Sequence, residues 1–585
     1  MSKVVIACVL VVSAVAAQKV RAQTTEMIVM GDTVELATHL FLPEGAGPFP
    51  TILMRTPYGR EQLVELAVMG AAIGFAVVIQ DVRGSGDSQG EVDFFQHDAA
   101  DGLVTLDWIE AQAWSNGDVA TFGPSALGIV QYILAPEHPS QLRCQVIQTA
   151  TPDVYAHAAY HGGVFRHALV TGWLNWVGGQ ANLPDIRANP IRNEYWAVGS
   201  IGERYGDITV PAFHIGGWYD IFSQGTLDAF VGYQEHGGVG AAGKQRLLMG
   251  PWGHSSVGTR SIGEVNFPPG AERSGWIGEQ IRFLNYCLGI DDDGISTEPA
   301  VHYYVMGADE DGAPGNEWRT ADAWPPPAVE KTLYLRSDGR MTMEAPAADE
   351  GTVSFDVDPE FPVPTVCGNN LTLPEGPCDQ YDDVDVRWDV VTFTSGRLVA
   401  DLEVTGRVWL VAHVETDRPD ADVAVRLTDL YPDGRSMLIL DGIRRLRMRD
   451  SDSQELDVTP GVTYLLEIDL WSTSYVFAAK HRIRVSLSGT NSTRFRINPH
   501  TGDALLPEDG TPVSATTTLH LAADAPSTLI FPAAGGTSLE IVEDDDADVQ
   551  PSDDESGCDC RSTRSLALIL WLPVVALLSR RRRPG

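Results

Sequence analysis

Ser125, Asp220 and His254 close three short apolar runs in that chain order, and they are the residue types of a nucleophile, an orienting acid and a base. The segments are Gly123-Pro-Ser-Ala-Leu-Gly128, Gly216-Gly-Trp-Tyr-Asp220 and Gly250-Pro-Trp-Gly-His254. A serine hydroxyl attacks a carbonyl when a neighbouring base takes its proton, and an imidazole titrates close enough to neutral pH to accept a proton and return it. A carboxylate behind the imidazole holds its tautomer and stabilises the imidazolium. Such a set performs acyl transfer, with a covalent acyl intermediate on Ser125 that water then hydrolyses. The reaction also needs two donors aimed at the developing oxyanion. One candidate is the N–H of Ala126, the residue after the serine; the other is the phenol of Tyr58 in the loop Arg55-Thr-Pro-Tyr-Gly59. Each residue also has a plain structural reading: a turn serine, a helix-capping aspartate, a strand-capping histidine, a packed tyrosine. The ordered recurrence of three strand-end segments favours catalysis.

The elements that must position them follow from the flanking pattern. Val119–Phe122, Ala212–Ile215 and Arg246–Met249 read as buried strands, and Thr51–Met54 is the strand leading to Tyr58. Between residues 28 and 150 short apolar runs alternate with helical stretches such as Ala99–Glu110, the rhythm of βαβ units, so the fold class is α/β, an α/β-hydrolase domain over 23–320. The turn that presents the serine needs small residues. Gly123 stands two before it, but the second glycine is Gly128 rather than residue 127, which makes the pattern G-x-S-x-x-G. Residues 151–208 break the rhythm and read as a cap between the serine strand and the acid strand. Its Tyr160, Phe165, Trp173 and Trp176, with Trp218 beside Asp220, are the expected walls of an apolar acyl pocket. Past Trp324-Pro-Pro-Pro327 the pattern turns to alternating strands such as Val408–Val414, Val423–Leu427 and Arg482–Ser486, a β-sandwich over 328–535.

These segments resemble the CocE/NonD hydrolases, a family that includes cocaine esterases, α-amino acid ester hydrolases, glutaryl acylases and Xaa-Pro dipeptidyl-peptidases. The resemblance is carried by Arg55-Thr-Pro-Tyr58, Gln80-Asp-Val-Arg-Gly84, Trp114-Ser-Asn-Gly117, the Ser125 turn, Gly217-Trp-Tyr-Asp220 and Gly250-Pro-Trp-Gly-His254. It continues through Asp401–Gly406, His481–Val485 and Asn498–Gly502, and so runs from about residue 28 to 530. It implies a triad of Ser125, Asp220 and His254, an oxyanion hole of Tyr58 and the Ala126 N–H, a helical cap and a jelly-roll sandwich. Two departures bear on substrate preference. The family usually carries tyrosine after the serine where this chain has Ala126, and Pro124 precedes the serine.

Length and composition bound the rest. A chain of 585 residues exceeds one hydrophobic core, and a net charge of −38 excludes a nucleic-acid surface. No P-loop, dinucleotide fingerprint or metal-ligand spacing is present, so neither metal nor cofactor is expected. His157, His161 and His167 read as pocket lining. Of seven cysteines, Cys144 and Cys287 are expected to be free and buried, whereas Cys367 and Cys378 flank a Gly/Pro-bounded loop that reads as disulfide-closed. Met1-Ser-Lys3 and the apolar run Val4–Ala17 form a secretory leader, residues 1–22. An acidic linker (536–556) precedes residues 557–585, where Cys558 and Cys560, an apolar run and Arg580–Arg583 resemble a MYXO-CTERM sorting tail.

The expected protein is therefore an exported or cell-surface serine hydrolase acting on a small-molecule ester or amide, touching a membrane only through its tail. Esterase or acylase activity is favoured, because the cap offers only a few acids, such as Asp153, Asp185 and Glu194, and no obvious cluster to bind a substrate ammonium. Xaa-Pro dipeptidyl-peptidase or α-amino acid ester hydrolase activity is the alternative, and an inactive surface-binding protein is the reading from another class.

Overall fold

The strands that end in the three chemical segments are parallel members of one sheet, in a computed structural model that describes residues 23–502 and 511–542. The leader, most of the acidic linker and the sorting tail lie outside the described residues, as do Cys8, Cys558 and Cys560. The sheet is built from β1 (Thr24–Val29), β2 (Glu35–Phe41), β3 (Phe49–Thr56), β4 (Ala76–Asp81), β5 (Ser115–Pro124), β6 (Leu142–Gln148), β7 (Ala212–Tyr219), β8 (Arg246–Gly253), β9 (Val301–Gly307) and β10 (Glu317–Ala321). Their order is 1-2-4-3-5-6-7-8-9-10, parallel from β4 to β9 and antiparallel at both edges. Every residue of β4, β7 and β8 is buried. Helices cover both faces of a parallel sheet, so its strands are uninterrupted apolar runs rather than alternating ones.

The helices that matter for the site are α1 (Val64–Ala72), α2 (Asp98–Glu110), α3 (Ala126–Leu134), α4 (His167–Val177), α5 (Ser223–His236) and α6 (Trp276–Cys287). All nine residues of α3 are buried, as suits the helix that carries the nucleophile turn through the centre. Cys144 on β6 and Cys287 at the end of α6 are joined in a disulfide with their Cα atoms 6.1 Å apart, which corrects the expectation of free thiols. The two cysteines are 143 residues apart, and only the packing of α6 on the sheet brings them together.

His214, on β7, shows how the sheet constrains a titratable group. Its Nδ1 lies 2.9 Å from the Tyr132 hydroxyl and its Nε2 3.4 Å from Gln245 Oε1. Burial, against a smaller opposing effect of the Gln245 hydrogen bond, holds the imidazole down to about 3. The unfolded chain protonates this ring near 6.5 and the folded one does not, so its contribution to stability is complete above pH 6.5 and is lost as pH falls towards 3. His214→Gln is expected to flatten stability against pH between 6.5 and 4 by about 1.4 kcal/mol per unit. Denaturant titration at pH 5, 6 and 7 measures that slope, and equal slopes for variant and parent would refute the assignment.

The cap between β6 and β7 is not wholly helical. It holds a short hairpin, Tyr160–His161 with Val164–Phe165, then α4 and brief turns. Its own core is aromatic: Tyr155 stacks on Tyr160 at 5.4 Å, Tyr160 meets Phe165 at 5.4 Å, and Trp196 closes the cluster. Beyond β10 lies the β-sandwich, a jelly roll. In one layer Leu402–Thr416 pairs with Tyr464–Phe477, Thr528–Ala533 and Ala515–His520. The other sets Ser436–Arg445, Asp422–Leu430, Arg482–Ser488 and Val391–Ser395 in order. Met306 of β9 pairs with Tyr475, which ties the sandwich to the sheet. The chain stays on the sandwich to its last described residues, where Ile541–Val542 pairs with Arg397–Leu398, so the linker placed from residue 536 begins later.

Candidate active site

Strand β5 ends at Pro124 and α3 begins at Ala126, which leaves Ser125 alone in the turn with φ 59° and ψ −127°. A side-chain-bearing residue in that region is strained, and the surroundings must hold it there. They do so through Ser125 N–H, which donates to Gln148 O at 2.9 Å, and through Ser125 O, which accepts from the N–H groups of Gly128 and Ile129. The displaced glycine now has a reason. A Cβ on Gly128 would stand 2.5 Å from Ala150 Cβ, so Gly128 is where α3 passes the end of β6. Leu127 fills the space over Gly123, where a Cβ would come within 2.5 Å of its own. With a leucine at 127, glycine is needed at 123 and 128.

Ser125, Asp220 and His254 converge. His254 Nε2 lies 3.0 Å from Ser125 Oγ, and its Nδ1 lies 2.6 Å from Asp220 Oδ1. Asp220 is fully buried and does not cap α5; its carboxylate faces the imidazole. Phe222 packs edge-on against that ring at 5.7 Å. This is the geometry in which His254 can take the Ser125 proton on Nε2 while Nδ1–H stays bound to the carboxylate.

Tyr58 completes the centre. Its hydroxyl is 3.3 Å from Ser125 Oγ and accepts from Trp173 Nε1–H at 3.1 Å, while the Ala126 N–H also approaches it. Burial raises the phenol above its usual range, more than Ser125, Trp173 and Ala126 lower it, so the group stays protonated and able to donate. The phenol oxygen already accepts from Trp173, so its proton is free to point at the serine side, where an oxyanion would form. Tyr58→Phe is expected to lower kcat by about 10²–10³-fold with little change in KM, measured on a chromogenic ester. A loss spread mainly into KM would assign Tyr58 to substrate binding instead.

A cavity opens beside Ser125. Helix α4 supplies Leu169, Val170 and Trp173; α3 and its turn supply Ala126 and Ile129. Phe94, Phe95, Ala158, Ile221, Phe222 and Leu371 complete the lining, and none of these residues is charged. The expected pocket set needs correction. Of the five aromatic residues, only Trp173 lines the cavity. Tyr160 and Phe165 are consumed by the core of the cap, with Tyr160 O–H donating to Ile186 O. Trp218 lies beneath, donating Nε1–H to Tyr304 O at 2.7 Å and packing on Trp324. Trp176 is 52% exposed and stacks on Tyr58 at 4.9 Å, outside the cavity. The three cap histidines do not line it either. His157 bonds Thr151 Oγ1 at 2.8 Å, and His161 stacks on Trp471 of the sandwich at 4.8 Å. His167 is half-buried beside Phe165.

Sequence reasoning missed Phe94 and Phe95. The signal was a Phe-Phe pair inside an otherwise polar loop, and both residues take positive φ, 50° and 72°, a strain that accompanies functional loops. Phe95 stacks on Trp173 at 5.5 Å and braces it against Tyr58. Leu371 was missed because it comes from the sandwich, on the loop that the Cys367–Cys378 disulfide closes.

Among known proteins, residues 32–191 and 179–256 match the model of the X-Pro dipeptidyl-peptidase (S15) family. Residues 293–530 match that of the X-Pro dipeptidyl-peptidase C-terminal non-catalytic domain. A cocaine esterase from Rhodococcus sp. (strain MB1 Bresler) is 30% identical, over 86% of this chain and 97% of its own length. The chain belongs to the CocE/NonD family of serine hydrolases. The hydrolase also shares its fold with solved structures. An aminopeptidase from a marine sediment Thaumarchaeota archaeon superposes with TM-score 0.75 at 22% identity, covering 88% of this chain and 96% of the other. An α-amino acid ester hydrolase gives TM-score 0.73 at 22% identity, over 89% and 98%. In this CocE/NonD hydrolase Ala126, the residue after the serine, is part of the cavity wall.

Proposed function

We propose that this hydrolase cleaves esters of uncharged, apolar carboxylic acids through an acyl-enzyme on Ser125. The observation that carries the reading is the uncharged lining of the cavity beside Ser125. An α-amino acyl group or a peptide N-terminus brings an ammonium into such a pocket, and an unpaired buried charge costs several kcal/mol. The carboxylates of the cap are engaged or outside. Asp153 pairs with Arg192 at 2.5 Å and accepts from Ser200, while Asp185 and Glu194 are exposed. The cocaine esterase relative supports an ester substrate over a peptide.

In this reading Ser125 Oγ attacks the ester carbonyl carbon as its proton passes to His254 Nε2. Tyr58 O–H and Ala126 N–H hold the oxyanion. The imidazolium returns the proton to the departing alkoxide, the C–O bond breaks, and water repeats the sequence to release the acid. An acyl panel tests the specificity: p-nitrophenyl butyrate and benzoate against an α-amino acid ester, a glutaryl amide and an Xaa-Pro p-nitroanilide. The expected order of kcat/KM puts the uncharged esters first by about 10²-fold or more, the penalty for an unpaired charge. Faster turnover of the Xaa-Pro or α-amino substrates would overturn it.

The same reading places the enzyme outside the cytoplasm. Two disulfides, Cys144–Cys287 and Cys367–Cys378, suit an oxidising compartment, alongside the leader and tail read from the sequence. Recovery of the intact, leader-bearing chain from the cytosolic fraction alone would refute it.

A further inference from the structure

The loop between Cys367 and Cys378 belongs to the sandwich in sequence, yet its side chains reach the backbone of Asp220 and of Ser255, the residue after His254. Its ends are tied by the disulfide and by paired backbone bonds between Gly368 and Gly376, 2.8 and 3.0 Å. Asn370 Nδ2 donates inward to Cys367 O and Pro374 O, so the loop holds its own shape. Asn369 is buried, and its Nδ2 donates to Asp220 O at 2.8 Å and Trp218 O at 3.1 Å, with Ser223 Oγ at 3.2 Å. Behind it the buried Arg166 guanidinium donates to Asn369 O and to Ile221 O, which clamps the loop to the turn that carries the acid. On the other side Glu375 Oε2 accepts from Ser255 N–H at 3.1 Å, directly after His254. The approach is close, since a Cβ on Gly253 would stand 2.5 Å from the Glu375 carboxyl carbon.

We infer that this disulfide-closed loop is part of the catalytic apparatus, with Asn369 positioning Asp220 and Glu375 positioning His254 and adding a second negative charge beside its imidazole. The inference rests on the triad acting as proposed above. The charged groups around the imidazole are Asp220 on the strand side and Glu375 on the loop side, and the cation behind them, Arg166, acts on Asp220. Burial raises the Glu375 carboxyl, while the Ser255 N–H, Ser256 and the His254 ring work to lower it. Each turnover creates an imidazolium, and a carboxylate on the far side of the same loop favours it.

Glu375→Gln tests the charge and Glu375→Ala the tether. Glutamine keeps an oxygen for the Ser255 N–H but removes the charge. The acid limb of kcat/KM against pH is therefore expected to move down by roughly half a unit, with kcat down about 3- to 10-fold, KM within two-fold and an unchanged Tm. Alanine also loses the acceptor, and kcat is expected to fall about 10- to 100-fold. Glu375→Asp is expected to restore the limb, which a purely structural role would not require. A fluorophosphonate probe on the same proteins separates the two levels. Label on a serine other than Ser125 overturns the hydrolytic mechanism itself. Label on Ser125 with a pH profile unmoved in a folded Glu375→Gln protein overturns the role of the loop and leaves the triad standing.

Discussion

Ser125→Ala is expected to cut ester turnover by about 10⁴-fold or more and to abolish labelling by a fluorophosphonate, with the fold retained. The magnitude follows from the centre described here. Removing Oγ takes away the atom that forms the acyl bond and leaves His254 and Asp220 with nothing to deprotonate. Tyr58 and the Ala126 N–H can still polarise a bound carbonyl, so a residue of catalysis by the oxyanion donors persists. Ser125 lies in a strained turn at φ 59°, and alanine there keeps the Cβ while losing only the hydroxyl. Circular dichroism and Tm should therefore match the parent. Unchanged p-nitrophenyl ester hydrolysis in this variant would favour the surface-binding reading over catalysis.

Asp220→Asn is expected to lower kcat by about 10⁴-fold with substrate binding little changed. Asp220 is fully buried, and its Oδ1 sits 2.6 Å from His254 Nδ1. An amide there can present its NH₂ to Nδ1, which selects the tautomer with the proton on Nε2, the nitrogen that must accept from Ser125. It also removes the charge that stabilises the imidazolium. The backbone of the turn is held independently, through Asp220 N–H to Gly217 O and Asn369 Nδ2 to Asp220 O, so the ring and its neighbours stay in place. Steady-state kinetics across pH measures the effect. A loss below about ten-fold would mean that His254 is oriented by other contacts, Glu375 foremost among them.

How much of this was legible beforehand differs from residue to residue. Ser125, Asp220 and His254 could be read because each ends an apolar run in a parallel sheet, and such strands end at a common edge wherever they occur in the chain. Tyr58 could be read for the same reason, at the end of β3. Gly128 was visible as a departure, but its purpose was not, since its meaning lies in Ala150 of another strand. The cap aromatics mislead in a systematic way. A stretch rich in tyrosine and tryptophan signals burial, and burial is satisfied equally by a cap core and by a pocket wall. Tyr160, Phe165 and Trp196 took the first option and Trp173 the second.

By itself the sequence determined the α/β-hydrolase domain with its cap and sandwich and the order of the chemical residues. These are carried by local period and by residue type at strand ends, neither of which needs a distant partner. Only the tertiary structure decided which side chains wall the cavity, that Cys144 meets Cys287, and that Leu371, Asn369 and Glu375 come from the sandwich to the active centre. The disulfide and the loop contacts join segments more than a hundred residues apart. No spacing along the chain encodes them, because they arise from how two separately patterned layers pack against each other.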